Sequence, residues 1–174
     1  MNRTWITALN GKIPCLDPEA FVDVSARLIG DVTVEQEASV WPLAVLRADA
    51  AGIAVRRRAA VLDLALLEAP EGLPVTIEEE ALVSHGAIIH GATVQTRALV
   101  GIGAIVLEGA VIGAGSIIGA GSLVTSGFQT PPNTLVLGSP GKVIRELKPE
   151  ELRRTRDQVE DLYRKSRLLK EATG

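Results

Sequence analysis

Two histidines are the residues of this chain best suited to chemistry. His85 and His90 are the only histidines, and they stand five residues apart in the segment SHGAIIHG. Imidazole nitrogens bind transition metals and exchange protons near neutral pH. Two acidic residues, Asp63 and Glu68, come shortly before them in the chain. The pattern has two interpretations: a metal or acid–base site, or polar positions on the outside of a repeating fold.

The composition limits how these side chains can be held in place. The chain has 174 residues, enough for one domain with a buried core. Hydrophobic residues make up 47% of it but aromatic residues only 3%, so the core must be built from Val, Ile, Leu and Ala. The 17 glycines argue against a helical bundle, because glycine is a poor helix former.

Charge and cysteine content exclude several functions. The formal net charge of −3 gives no general attraction to nucleic acid, and the cluster Arg56-Arg57-Arg58 is interpreted as a solvated turn or a subunit contact. Cys15 is the only cysteine, which excludes an intrachain disulfide and a sulfur-rich metal cage. The sequence has no signal-like N-terminus and no apolar run of membrane-spanning length. We therefore expect a cytoplasmic protein with no nucleic-acid or membrane partner.

A six-residue repeat predicts the architecture. From Val94 the chain runs VQTRAL, VGIGAI, VLEGAV, IGAGSI and IGAGSL, with an aliphatic opening residue, a small fifth residue, and glycine frequent at positions two and four. An α-helix does not tolerate this glycine density, and a hairpin would repeat every two residues. The period indicates a parallel β-helix of triangular cross-section. Three six-residue faces would make one coil, and coils would stack about 4.8 Å apart.

Earlier repeats share this phase but contain interruptions. The opening residues are Leu28, Val34, Val40, Leu46, Val55, Val61, Leu67, Ile77, Val83 and Ile89. The small fifth position is assigned to Val32, Ala38, Ala44 and Ala50. The spacing shortens to five between Ile89 and Val94, and residues 69–74 (APEGLP) are predicted to form a loop.

The C-terminal segment leaves the repeat. We divide the chain into a β-helix over residues 1–145 and a C-terminal helix over residues 146–174. From about Pro149 the sequence is highly charged but carries an apolar stripe at helical spacing. The stripe consists of Leu152, Val159, Leu162, Tyr163 and Leu169. Such a helix is expected to pack on the coils or on a neighbouring subunit.

Stacked coils bring chemically active residues into columns. If the intervening loop returns the chain to the same face, Arg47, Glu68 and His90 line one column, with Glu68 and His90 about 5 Å apart. Asp63 and His85 line a second column on a different face. Histidine nitrogens must lie about 2.0–2.1 Å from a zinc ion, so one chain would struggle to bring both histidines to one metal. Two chains packed side by side could do so.

Several segments resemble the γ-class carbonic anhydrase family of hexapeptide-repeat proteins. They are PCLDPEAFV, GDVTVEQEASVWPLAVLRAD, SHGAIIHGATV, GIGAIVLEGAVIGAGSIIGAGSLVTSG and LVLGSPGKVIREL, in the family's order. The resemblance covers nearly the whole chain, and its histidine and LRAD segments make it specific. It implies an all-β solenoid, a left-handed parallel β-helix with a C-terminal α-helix, assembled as a homotrimer.

The resemblance also implies a metal site between subunits. Each family site uses three histidines from two chains, and His85 and His90 match two of them. Glu68 stands where the third histidine is expected, so the implied metal ligands are His85, His90 and Glu68. Two histidines and one carboxylate form a known metal-binding set. The alternative is that Glu68 leaves the metal and pairs with Arg47 in its own column. Zn²⁺ is the expected metal, with Fe²⁺, Co²⁺, Ni²⁺ or a metal-free protein as alternatives.

Further matches concern the surroundings of that site. Arg47 and Asp49 match the family's arginine–aspartate pair, and Asp63 matches its aspartate preceded by glutamine. The implied catalytic residues are therefore Glu68, Asp63 and Arg47. The glutamine, which orients metal-bound water in the family, is replaced by Leu62.

Three functions follow from these observations. The first is a γ-carbonic-anhydrase-like homotrimer that acts on CO2 and bicarbonate with weak or lost activity, because its metal site is altered. The second is a non-catalytic trimer with a structural or assembly role. The third is a hexapeptide-repeat acyltransferase that uses His85 or His90 as a general base.

Overall fold

The computed structural model describes residues 5–173, which form a left-handed parallel β-helix of triangular cross-section followed by one helix. Two faces of the prism, the first and the third, belong to one 11-stranded sheet. Its strands are β1 (Ile6–Thr7), β2 (Cys15–Leu16), β4 (Arg27–Val34), β6 (Val45–Val55), β8 (Leu66–Glu68), β9 (Val75–Ile77), β11 (Ile88–His90), β12 (Thr93–Val94), β14 (Ile105–Val106), β15 (Val111–Ile112) and β17 (Leu123–Val124).

The second face is an 8-stranded sheet. Its strands are β3 (Phe21–Val22), β5 (Ser39–Val40), β7 (Ala60–Val61), β10 (Leu82–Val83), β13 (Leu99–Val100), β16 (Ile117–Ile118), β18 (Thr134–Gly138) and β19 (Gly141–Glu146). All pair in parallel except β18 and β19, which form an antiparallel pair at the end of the solenoid. The final element is α1 (Pro149–Thr173).

Strand pairing confirms the predicted six-residue register. On the second face Val61 pairs with Val83, and on the third face Leu67 pairs with both Leu46 and Ile89. The predicted opening residues are all fully buried or nearly so. The small fifth position is also buried, at Ala26, Ala38, Ala44, Ala59, Ala65, Ala81, Ala87, Ala98, Ala104, Ala110, Ser116 and Ser122. Stacked aliphatic layers therefore supply the core that aromatic residues supply in many other proteins.

The assignment of Ala50 to the inner fifth position is wrong. Ala50 is exposed, and Ile53 takes the inner position opposite Val32. Nine residues instead of six separate Leu46 from Val55, so the chain ahead of Ile53 bulges outward and the register shifts. Adjacent coils otherwise keep their alignment on both sides of this bulge.

The predicted loop at residues 69–74 returns the chain to the same register on the following coils. It packs on Gly91, whose φ is +57°. A Cβ atom at Gly91 would lie 2.8 Å from the Cβ of Leu73, so only glycine fits beneath the loop. The loop is thereby held beside the residue that follows His90.

Helix α1 begins at Pro149, as predicted, and its first turn is capped. Glu151 accepts a hydrogen bond from the backbone N–H of Lys148 at 2.8 Å, and both its oxygens accept from Arg145 at 2.7 and 2.9 Å. Proline at the first helical position and a glutamate two residues later are typical of a helix N-terminus. No helix among residues 5–173 is long and apolar enough to cross a membrane.

The helix packs on the second face of the solenoid within its own chain. Val159 and Leu162 contact an apolar cluster on that face, which consists of Trp41, Ala60, Leu62, Leu82 and Leu99. The predicted stripe is correct for Leu152, Val159, Leu162 and Tyr163, which are buried or half-buried. It is wrong for Leu169, which is 38% exposed. Near that residue α1 contacts the first coil through the ion pair of Arg167 with Glu19 at 2.6 Å.

The arginine cluster at residues 56–58 forms ion pairs with neighbouring elements. Arg56 pairs with Glu35 on the preceding coil at 2.5 Å, and Arg57 pairs with Glu79 on the following coil. Arg58 pairs with Glu160 of α1 at 2.5 Å and lies over the ring of Tyr163, 4.5 Å from its centroid. The cluster is thus a turn whose three guanidinium groups pair with acids of the same chain.

The cap of α1 should make stability depend on pH. Hydrogen bonds lower the pKa of Glu151 from 4.5 to about 2, and those from Arg145 contribute more than the one from the backbone of Lys148. The ionised carboxylate therefore stabilises the fold fully above pH 4.5, and this contribution is lost as the pH falls toward about 2. We expect Glu151→Gln to melt at a lower temperature than the wild type at neutral pH, with a gap that closes on acidification. Circular dichroism melts over this pH range, with Glu150→Gln as control, test it; a gap independent of pH would contradict it.

The packing of α1 gives a second prediction. Leu62 is 2% exposed in the cluster beneath the helix, so Leu62→Gln should bury an amide without a partner and cost ~1–3 kcal/mol of unfolding free energy. The matched control is Leu168→Gln, since Leu168 is 66% exposed and its replacement should cost less than ~0.5 kcal/mol. Urea unfolding of both variants measures the difference, and equal costs would disprove the packing role.

Candidate metal centre

Arg47, Glu68 and His90 form one column at the edge of the third face. Their backbones pair directly, Arg47 with Glu68 and Glu68 with His90, because β6, β8 and β11 are neighbours in the sheet. Arg47 Nη2 donates to Glu68 Oε1 at 2.6 Å, and Glu68 Oε2 lies 3.4 Å from His90 Nδ1. Both oxygens of Glu68 are therefore in contact with side chains of its own chain.

Arg47 is held between two carboxylates. Its Nε lies 3.0 Å from Asp49 Oδ2, which is the arginine–aspartate pair expected from the family resemblance. The hydrogen bond with Glu68 is the main cause that raises the pKa of Arg47, and the charges of Glu68 and Asp49 add to it. Arg47 therefore fixes the position of Glu68 by charge and by hydrogen bonding.

A further acidic residue, Glu108, contacts this column from the next coil. Its Oε1 lies 3.1 Å from His90 Nε2, and its Oε2 accepts a hydrogen bond from Ser126 Oγ at 3.0 Å. Sequence reasoning missed it, because counting block positions places Glu108 one residue beyond the column of His90. A signal was nevertheless present: Glu108 is the only charged residue between Val100 and Leu123.

Asp63 and His85 form a separate pair at the edge of the second face. Val61 and Val83 pair on adjacent coils, which aligns the two residues that follow each of them. His85 Nδ1 lies 3.0 Å from Asp63 Oδ2, and about half of the His85 side chain is exposed. The two residues predicted to share a column are thus in contact.

The structure does not bring the three predicted metal ligands together in one chain. Glu68 and His90 are neighbours, but His85 lies at another corner of the prism. Within residues 5–173, no group of three or more His, Cys, Asp or Glu side chains is close enough to hold a metal ion. A centre that uses both histidines therefore requires a second copy of the chain.

Leu62, which stands where the resemblance implies a glutamine, packs against the helix. Its side chain lies in the apolar cluster beneath α1. Leucine at this position therefore has a packing role.

Two relatives identified by sequence are named as carbonic anhydrases. The chain is 44% identical over 134 residues to the protein named "Probable carbonic anhydrase" of Methanocaldococcus jannaschii, covering 77% of this chain and 84% of that protein. It is 41% identical over 143 residues to a carbonic anhydrase of Geobacillus kaustophilus, covering 82% of this chain and 79% of the relative. No family profile matches the chain.

Solved structures extend the comparison to the whole fold. A Bacillus cereus protein named "putative acetyltransferase" superposes with a TM-score of 0.94 at 36% identity, covering 96% of this chain and 97% of the other. A hexapeptide transferase family protein from Anaplasma phagocytophilum gives 0.91 at 32% identity, covering 95% and 98%. The repeat register, the histidine segment and the identity to the named carbonic anhydrases lead to one assignment: the chain belongs to the γ-class carbonic anhydrase-like family of hexapeptide-repeat, left-handed β-helix proteins.

Proposed function

We propose that this protein is a homotrimer that binds a metal ion between subunits and catalyses reversible CO2 hydration at a low rate. The main support is the arrangement of the two histidines. Each stands beside a carboxylate of the preceding coil, yet they lie on different corners of the prism. This is the geometry expected of two half-sites that two neighbouring chains complete. The relatives named carbonic anhydrase support the same chemistry.

The corner that carries His85 is suited to contact with a second copy. Leu43 and Leu64 project from it with positive φ values of 60° and 62°, and they are 56% and 62% exposed. Ile102 extends the same apolar stripe. A leucine in the left-handed backbone conformation costs about 1–2 kcal/mol. Its exposed apolar surface is also unfavourable in water. Burial of this stripe against a neighbouring subunit would offset that cost.

Two imidazoles and a carboxylate match the donor preferences of Zn²⁺, and they also accept Fe²⁺, Co²⁺ or Ni²⁺. A bound metal of this type supplies hydroxide by acidifying its water. The protein residues would prepare the site: Asp63 and Glu68 orient the two imidazoles, and Arg47 holds Glu68 in place. A carboxylate donor adds negative charge that three neutral histidines would not, so hydroxide would form less readily and CO2 hydration would be slow.

An acyltransferase is the second candidate function. Its support is the 36% identity to the Bacillus cereus protein described as an acetyltransferase. In this alternative His85, with its ring oriented by Asp63, would act as general base on a hydroxyl or amine substrate. A metal-free trimer with neither activity remains the structural alternative. Turnover of acetyl-CoA, measured alongside CO2 hydration on the same preparation, separates these functions.

Assembly through the apolar corner is testable by substitution. Leu64→Glu places a charge in the proposed contact, so we expect the mass in solution to fall from about three times the 18.3 kDa chain mass to that of one chain. Leu168→Glu, on the exposed side of α1, should leave the assembly unchanged. Multi-angle light scattering measures both. A wild type that is monomeric at micromolar concentration would contradict the proposal.

Complementation between two inactive variants tests whether the site spans subunits. His85→Ala and His90→Ala should each abolish metal-dependent CO2 hydration in stopped flow. When the two are unfolded, mixed in equal amounts and refolded, about a quarter of the interfaces should join an intact His90 to an intact His85. Activity and metal content should recover to that level. A site within one chain would recover neither, and recovered metal without hydration would favour the structural alternative.

A further inference from the structure

Both histidines use the same ring nitrogen to contact a carboxylate. His85 Nδ1 lies 3.0 Å from Asp63, and His90 Nδ1 lies 3.4 Å from Glu68. Each carboxylate stands 22 residues before its histidine, which is one coil of the solenoid in this region. Asp63 and Glu68 therefore have equivalent positions relative to the two imidazoles.

A carboxylate at Nδ1 determines what the other nitrogen can do. A neutral imidazole has one N–H and one lone pair, so an Nδ1–H that donates to a carboxylate leaves the lone pair on Nε2. Metal-binding histidines commonly use this arrangement, in which an acidic residue holds one nitrogen and the metal takes the other. On this basis His85 would present Nε2 to a metal, and His90 would do the same once a metal replaces the proton that Nε2 shares with Glu108.

Glu68 is poorly placed to act as the carboxylate ligand. One of its oxygens accepts a hydrogen bond from Arg47 at 2.6 Å, and the other faces Nδ1 of His90, on the opposite edge of the ring from Nε2. Binding a metal at His90 Nε2 through Glu68 would require breaking both contacts. Glu108 needs no such rearrangement: its Oε1 lies 3.1 Å from His90 Nε2, and a metal would take the place of the proton between these two atoms.

We infer that Glu108, and not Glu68, is the carboxylate ligand of the intersubunit metal, and that Glu68 positions His90 as Asp63 positions His85. This inference rests on the proposed metal centre and assigns its donors: His90 Nε2 and Glu108 from one chain and His85 Nε2 from the neighbour. Ser126, whose hydroxyl donates to the second oxygen of Glu108, would restrict that carboxylate to one-oxygen binding. The replacement of a histidine at position 68 is then compensated from the next coil.

Metal binding by three glutamine variants distinguishes the two roles. The probe is Co²⁺, whose visible spectrum reports its donors, titrated into the metal-free trimer. Glu108→Gln should weaken Co²⁺ binding by more than ~100-fold and change the spectrum, because a charged donor is lost. Glu68→Gln should weaken it only about 10-fold and leave the spectrum unchanged, since the amide oxygen still accepts from Nδ1–H. Glu71→Gln, an exposed acid in the 69–74 loop, is the matched control and should bind as the wild type does.

The outcomes separate this inference from the proposed function. If the wild type binds Co²⁺ and Glu68→Gln suffers the larger loss, Glu68 is the ligand and the inference is wrong. If both variants bind Co²⁺ as tightly as the wild type does, neither Glu68 nor Glu108 is a ligand and the inference is also wrong. If the wild type binds no metal, the metal centre itself fails and the ligand assignment falls with it.

A second measurement follows the two histidine rings by NMR. The chain has only two histidines, so its imidazole ¹⁵N signals reduce to two rings. In the Zn²⁺-bound trimer, both rings should carry their proton on Nδ1, and Glu68→Ala should shift the Nδ1 signal of His90 while leaving that of His85 unchanged. A proton on Nε2 of His90 in the Zn²⁺-bound wild type would overturn the role assigned to Glu68.

Discussion

The in-register stacking of parallel coils is the constraint on which the rest of this structure depends. Each coil hydrogen-bonds to the next through the short strands of its faces, so a residue on one coil lies about 4.8 Å from the equivalent residue on the next. The opening residues of the repeat, such as Val61 and Val83, form continuous apolar columns inside the prism. The same rule aligns outward-facing residues, and it brings Glu68 against His90 across 22 residues of sequence.

The corners allow this regular scaffold to carry irregular features. Extra residues before Ile53 and the loop at residues 69–74 leave the solenoid at corners, and the chain then rejoins the ladder in register. Both insertions lie beside the column of Arg47 and His90, so the least regular part of the coil surrounds the candidate site. The corner that joins the first and second faces is different, because acidic and basic residues alternate there and pair from coil to coil, as Arg56 does with Glu35.

The proposed centre has a different donor set from the one that the family resemblance implies. Glu68 stands where the resemblance implies a histidine, and its carboxylate contacts Arg47 on one side and His90 on the other. Glu108, from the next coil, contacts the opposite nitrogen of His90. Each of these four side chains therefore has an oppositely charged or hydrogen-bonding neighbour. In the proposed function, a carboxylate in such a set would change the acidity of metal-bound water.

Four features can be read from the amino-acid sequence: the solenoid, its six-residue register, the start of the C-terminal helix and the separation of the two histidines onto different faces. A six-residue period with buried aliphatic residues is hard to satisfy with another fold, and the repeat then assigns each outward residue to a column. The repeat does not predict the exposed side of Ala50, because the chain bulges there, or of Leu169, because α1 reaches the first coil at that point. Which side-chain atoms come into contact depends on the folded structure. Leu62 lies beneath α1, and Glu108 reaches His90 diagonally from a different block position, because long side chains at a corner extend beyond the column that backbone register assigns to them.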